Sequence, residues 1–152
     1  MRPTCLLLLP RLYLAMIFCV AAIGKLRGGR DFSGAMAGFL SDVTLKGGYG
    51  WYQGIVRSLV LPHAHTFAWL VIIAESCIGI SMLFGLATRA GAVVAIFLLL
   101  NYLCAKGLPF WSPGSNDMAD IVLALVVLFG AAGRFGGIDK SLHERFPKVP
   151  LW

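Results

Sequence analysis

Residues 67–87, FAWLVIIAESCIGISMLFGLA, decide the fold. They carry a single charge, Glu75. As an α-helix this run is roughly 32 Å long at about 1.5 Å per residue, which matches a hydrocarbon core of about 30 Å. It is apolar on every face, as a lipid-exposed span must be and an amphipathic surface helix is not. A carboxylate inside such a run is costly and needs a partner or a task.

Comparable runs lie on either side. The first extends from Leu6 to Gly24, broken only by Pro10 and Arg11, and closes on Gly24-Lys25-Leu26-Arg27. Its length and the lack of a small-residue cleavage site mark it as a retained span, although Arg2 precedes it. Pro10 is tolerable if the helix begins near it. After the short link Ala87-Thr88-Arg89-Ala90 a third run covers Gly91 to Cys104 and includes Asn101. A fourth, Met118 to Gly133, opens after Asn116-Asp117 and closes on Arg134. These last two are shorter than a bilayer core and reach across it with flanking residues or local thinning. The sequence therefore predicts an all-α integral membrane protein. It is one domain over 1–152, a bundle of four transmembrane helices at about 6–25, 67–87, 90–105 and 117–134.

Composition agrees. Of the 152 residues, 59% are hydrophobic and 13% charged. Soluble domains run roughly 45–50% apolar and about 25% charged. The net charge of +6 is spread between the apolar runs. That speaks for loops at a lipid surface and against nucleic acid as a partner. Cys5, Cys19, Cys77 and Cys104 form no C-x-x-C pair and no metal-ligand spacing with histidine, and read as small apolar residues. His63 and His65 alone do not make a metal site. Ser81 with Gly85, and Gly91 with Ala95, are small residues four apart that suit close helix approach in lipid.

Residues 27–66 follow another pattern. Phe32, Ala35, Met36, Phe39, Leu40 and Val43 recur at helical spacing, and after Lys46-Gly47-Gly48-Tyr49-Gly50 so do Trp51, Tyr52, Ile55, Val56, Leu59 and Val60. Two short amphipathic helices, Phe32–Val43 and Trp51–Val60, are expected between spans 1 and 2, the second ended by Pro62. The tail from Asp139 reads as a polar, mobile end.

Antiparallel spans bring the end of the first, the start of the second and the start of the fourth to one membrane face. Lys25, Glu75, Asp117 and Asp120 lean toward it. Arg11 lies nearly four helical turns before Lys25 and shares its helix face. Arg11, Lys25, Glu75 and Asp120 are thus candidates for a polar pocket that binds a quinone head group or relays a proton. The plainer reading is an interhelical ion pair of Glu75 with Lys25, or with Arg11, that fixes packing. Asp117 suits a helix N-cap. Trp51, Trp69 and Trp111 form an aromatic belt at the same face. The basic residues divide six against six: Arg2, Arg89, Arg134, Lys140, Arg145 and Lys148 on the terminal side, and Lys25, Arg27, Arg30, Lys46, Arg57 and Lys106 on the other. The short Arg89 link and the cluster after the fourth span favour cytoplasmic termini.

Arg11-Leu12…Phe18…Gly24-Lys25-Leu26, Glu75 ahead of Leu83-Phe84-Gly85-Leu86-Ala87-Thr88-Arg89, and Ala131-Ala132-Gly133-Arg134-Phe135…Asp139 together resemble the DoxX family of small membrane proteins, which includes the DoxD-like small subunits of thiosulfate:quinone oxidoreductase. The resemblance implies a four-helix fold in the inner membrane and a link to quinone redox chemistry. Two roles follow from it: an accessory or structural subunit of a larger membrane redox complex, packed against other membrane subunits, or a quinone-handling oxidoreductase component working through Glu75 and Lys25. A small transporter fits less well, since four short spans leave little room for alternating access. No metal is implied.

Overall fold

The computed structural model describes residues 6–28, 32–109, 112 and 115–146. Arg2, Cys5, Arg30, Trp111 and Lys148 lie outside them. Among the described residues every regular element is helical. Three helical stretches are long and apolar enough to cross a membrane: Leu8–Arg27, Gly50–Phe84 and Thr88–Lys106.

The first is α1 (Leu8–Arg27), with Pro10 in its first turn, where the missing N–H has no intrahelical acceptor in any case. Next, α2 (Phe32–Phe39) runs through a π-helical turn, Leu40–Thr44, into the short α3 (Leu45–Gly47). Extended backbone at Gly48 and Tyr49 then reverses the chain. This reversal docks on the end of α6 (Thr88–Lys106): the Tyr49 N–H donates to the Cys104 carbonyl at 3.4 Å and its hydroxyl to the Leu108 carbonyl at 3.0 Å. A side chain on Gly107 would strike the Gly47 carbonyl, and Gly107 sits at φ +65°, so the approach requires glycine there.

The second arm departs from expectation. α4 (Gly50–Ile55) does not stop at Pro62 but continues through a π turn, Val56–Val60, and a 3-10 turn, Leu61–His63, into α5 (Ala64–Phe84). The reason is local. Pro62 lacks an N–H and its ring would clash with the carbonyl four residues back. Here the Leu61 N–H bonds five residues back to Val56, and the Ala64 N–H three back to Leu61, so the regular ladder is bypassed around the proline. The resulting stretch has 35 residues. It is roughly 52 Å long, and only part of it fits a bilayer core of about 30 Å. Leu40, Thr44 and Val56 are buried, while Phe39 and Ile55 stay partly exposed along the outer side.

After α6 come α7 (Asp117–Gly130), a 3-10 turn at Ala132–Arg134, and α8 (Asp139–Arg145). α1 packs on α5 and α7, and α6 on the same two helices, closing a ring. Its core holds Leu14, Phe18, Ile78, Met82, Leu99 and Ile121. Small residues set the spacing: a Cβ on Gly79 would lie 2.6 Å from Cys19 Sγ, and one on Gly91 would overlap the Ser81 hydroxyl. The outer face is apolar at Leu9, Met16, Leu70, Phe97 and Phe129, among others.

Candidate functional site

Charged and polar side chains gather at the two ends of the ring. At the Lys25 end, α1 and α5 pack so closely that the last turn of α1 stands over Glu75. Lys25 Nζ lies 2.7 and 2.6 Å from the two Glu75 carboxylate oxygens. Tyr102, from α6, donates its hydroxyl to Glu75 Oε1 at 2.7 Å. The Glu75 side chain is 2% exposed and that of Lys25 is 21% exposed. The carboxylate is thus out of water but receives three charge-assisted hydrogen bonds, the condition under which burying it is tolerable. Lys25 reaches inward along its apolar stem from the helix end. Its ammonium also stands 5.4 Å from the centre of the Phe32 ring of α2, close enough for a cation–π contact.

Two clefts open beside this cluster, and Lys25 lines both. The larger, about 570 Å³, is walled by Lys25, Phe32, Ser33, His65, Trp69 and Ile72. The smaller, about 280 Å³, is walled by Lys25, Phe32, Met36, Phe39, Val71 and Tyr102. Both are mostly apolar, with the Lys25 ammonium, the Ser33 and Tyr102 hydroxyls, the His65 imidazole and the Trp69 indole as their polar groups. Mostly apolar walls with a few polar groups are the usual make-up of a small-molecule pocket.

The ion pair of Glu75 with Lys25 therefore forms, and two of the expected pocket residues lie elsewhere. Arg11 is at the opposite end of the ring, where its Nη1 donates to the Ala132 and Phe135 carbonyls at 3.0 and 2.9 Å and its Nη2 to Gly136 at 3.3 Å. Sharing a helix face with Lys25 did not bring it to Glu75, because nearly four turns of helix separate them. Asp120 is buried on α7 within reach of the Tyr13 hydroxyl, and it lines neither cleft. Asp117 does not act as an N-cap: its carboxylate accepts Lys106 Nζ at 2.6 Å and the Ser115 hydroxyl. His65 and Trp69 do border the larger cleft.

Sequence reasoning missed Tyr102 and Phe32 as neighbours of Lys25. The available signal was a tyrosine inside an apolar run, whose hydroxyl needs a partner when buried. Asn101 drew attention instead, and it accepts from the Tyr52 hydroxyl at 3.2 Å.

The opposite end explains the remaining sequence elements. Asp139, expected in a mobile tail, is fully buried. Its carboxylate accepts the Ala87 N–H at 2.6 Å, the Thr88 N–H at 2.9 Å and the Thr88 hydroxyl. It caps α6 from 51 residues away. The cap holds Ala87 at the unfavourable φ of +49°. α8 (Asp139–Arg145) begins at this cap, so the start of the expected tail is tied to the bundle. Gly85, at φ +62°, lets Arg11 and Gly137 pass where a side chain would sit.

Apolar helices of membrane-crossing length, packed in a ring around a buried ionic cluster, define a helical membrane protein. A family model described as DoxX matches residues 6–106, and the chain belongs to that family. The match contains Arg11, Lys25, Glu75, Arg89 and Tyr102, and ends before α7. No curated protein and no solved structure shows a significant match.

Proposed function

We propose that the protein crosses the inner membrane four times and serves as an accessory subunit of a quinone-linked membrane redox complex, within which it presents a head-group site. The observation that carries this is the Lys25–Glu75–Tyr102 cluster at the mouth of apolar clefts. A quinone ring would lie beside Phe32 and Trp69, with the Lys25 ammonium as donor to a carbonyl oxygen. Glu75 holds the lysine in place from behind. α7 is the fourth span. Its length is roughly 21 Å, and the adjoining turn at Ala132–Arg134 extends it toward the far surface. The termini lie on the cytoplasmic side, where Arg89, Arg134, Lys140 and Arg145 gather.

Purification in mild detergent tests the reading. Other subunits are expected to co-purify, and extraction of the washed complex is expected to yield quinone that Lys25→Met loses while assembly persists. A chain that purifies alone, and neither retains nor takes up a short-tailed ubiquinone analogue, overturns it. A second reading is an oxidoreductase component in which the Glu75 carboxylate accepts a proton from a bound quinol as a partner redox subunit takes its electrons, with Lys25 polarising the quinone oxygen. It draws on the placement of Glu75 against Lys25 and the Tyr102 hydroxyl. It requires Glu75→Gln to assemble and bind quinone yet lose turnover.

A further inference from the structure

Both ends of the bundle carry basic side chains, Arg27 and Arg57 among them at the Lys25 end. At the Lys25 end, Lys25, Lys46 and Lys106 are each held by a carboxylate, Glu75, Asp42 and Asp117 respectively. At the α8 end, Asp139 is buried and occupied by the first turn of α6. Arg11 is buried there on the Ala132, Phe135 and Gly136 carbonyls, Arg134 meets His143, and Lys140, Glu144 and Arg145 are exposed on α8.

α8 also has a second face. Ile138 and Leu142 lie one turn apart and form a short apolar stripe, and Phe146 follows at the C-terminal end, where the backbone is no longer helical. Ile138 is 45% exposed and Phe146 52% exposed. The helix is fixed in place, because the Ile138 and Asp139 N–H groups donate to the Phe84 and Gly85 carbonyls at 3.1 and 2.8 Å. Those two carbonyls belong to the end of α5. A short helix tied to the end of a candidate span, with exposed apolar side chains and basic neighbours, has the make-up of an interfacial helix.

We infer that α8 is a docking surface for anionic phospholipid, its Ile138–Leu142 stripe and the Phe146 ring dipping among the acyl chains and Lys140 and Arg145 contacting the phosphates. Each basic residue near an anionic surface is worth roughly fivefold in affinity. The site is independent of the Lys25 clefts, at the other end of the molecule.

The test uses the full chain in detergent, titrated with phosphatidylglycerol or phosphatidylcholine and followed by native mass spectrometry. Phosphatidylglycerol is expected to be retained several-fold more strongly. The double variant Lys140→Gln/Arg145→Gln is expected to lose most of that preference, roughly five- to thirtyfold in apparent affinity. Arg27→Gln/Arg57→Gln, at the other end, is expected to leave it unchanged. Equal retention of the two lipids, or a preference that survives the α8 variant and vanishes in the Arg27/Arg57 one, overturns the inference. A nitroxide at Leu142 in nanodiscs separately reports position. Collisions with dissolved oxygen should exceed those with a water-soluble nickel chelate, and the reverse order places the stripe in water and refutes the proposal.

Discussion

Replacing Lys25 with methionine keeps the apolar stem but removes two of the three hydrogen bonds that Glu75 receives. The carboxylate, 2% exposed, is left with Tyr102 alone. Removing one member of a buried ion pair costs about 3–5 kcal/mol, chiefly through the charge left behind. Lys25 itself is 21% exposed at a cleft, so water can follow it inward, which places the cost near the lower bound. About 3 kcal/mol corresponds to a roughly hundredfold change in the unfolding constant. The double variant Lys25→Met/Glu75→Leu has no charge to strand and is expected to be more stable than Lys25→Met, by about 1–3 kcal/mol. Reversible unfolding in mixed dodecyl maltoside and SDS micelles measures all four members of the cycle. If the two single costs add in the double variant to within about 0.5 kcal/mol, the pair is not coupled and the reasoning fails. Glu75→Gln should be milder than Glu75→Leu, since the amide still accepts from Tyr102.

Asp139→Ala leaves the Ala87 and Thr88 N–H groups and the Thr88 hydroxyl unpaired in a buried site. It is expected to cost about 2–4 kcal/mol, and hydrogen exchange should accelerate in the first turn of α6 and not at the Lys25 end. Gly79→Ala places a methyl group against Cys19 Sγ and should lower the melting temperature in detergent, with partial recovery in Gly79→Ala/Cys19→Ala, where the sulfur is gone. Phe39→Asp and Ile55→Asp should loosen the segment before α5 without preventing insertion, read as faster proteolysis of that segment in membranes that still contain full amounts of protein. A reporter fused after α8 should score cytoplasmic, and a periplasmic signal would reverse the orientation proposed above.

Much of this molecule was written along the chain. Long apolar runs fix helices of membrane length because in lipid every backbone N–H and C=O must be satisfied within the segment, leaving helix as the solution for a single run. A carboxylate at position 75 and a lysine at the end of the preceding span could be paired from topology, since antiparallel neighbours bring a span end beside the next span's beginning. What lay beyond reach were contacts set by rotation about the helix axes and by register across helices distant in sequence. Whether Tyr102 or Asn101 faces Glu75 depends on a turn of α6 about its own axis of about 100°, the angle between successive residues. Apolar surface on all sides leaves no sequence signal for that rotation. Pro62 reads as a break, yet a π turn and a 3-10 turn carry the helix past it. Asp139 reads as tail because its partners, Ala87 and Thr88, are backbone groups presented by a turn that exists only once α5 and α6 have packed. The sequence determined which runs are apolar enough to form helices of membrane length and what the charges within them cost; packing decided which charge met which partner, because only the assembled ring fixes both distance and rotation.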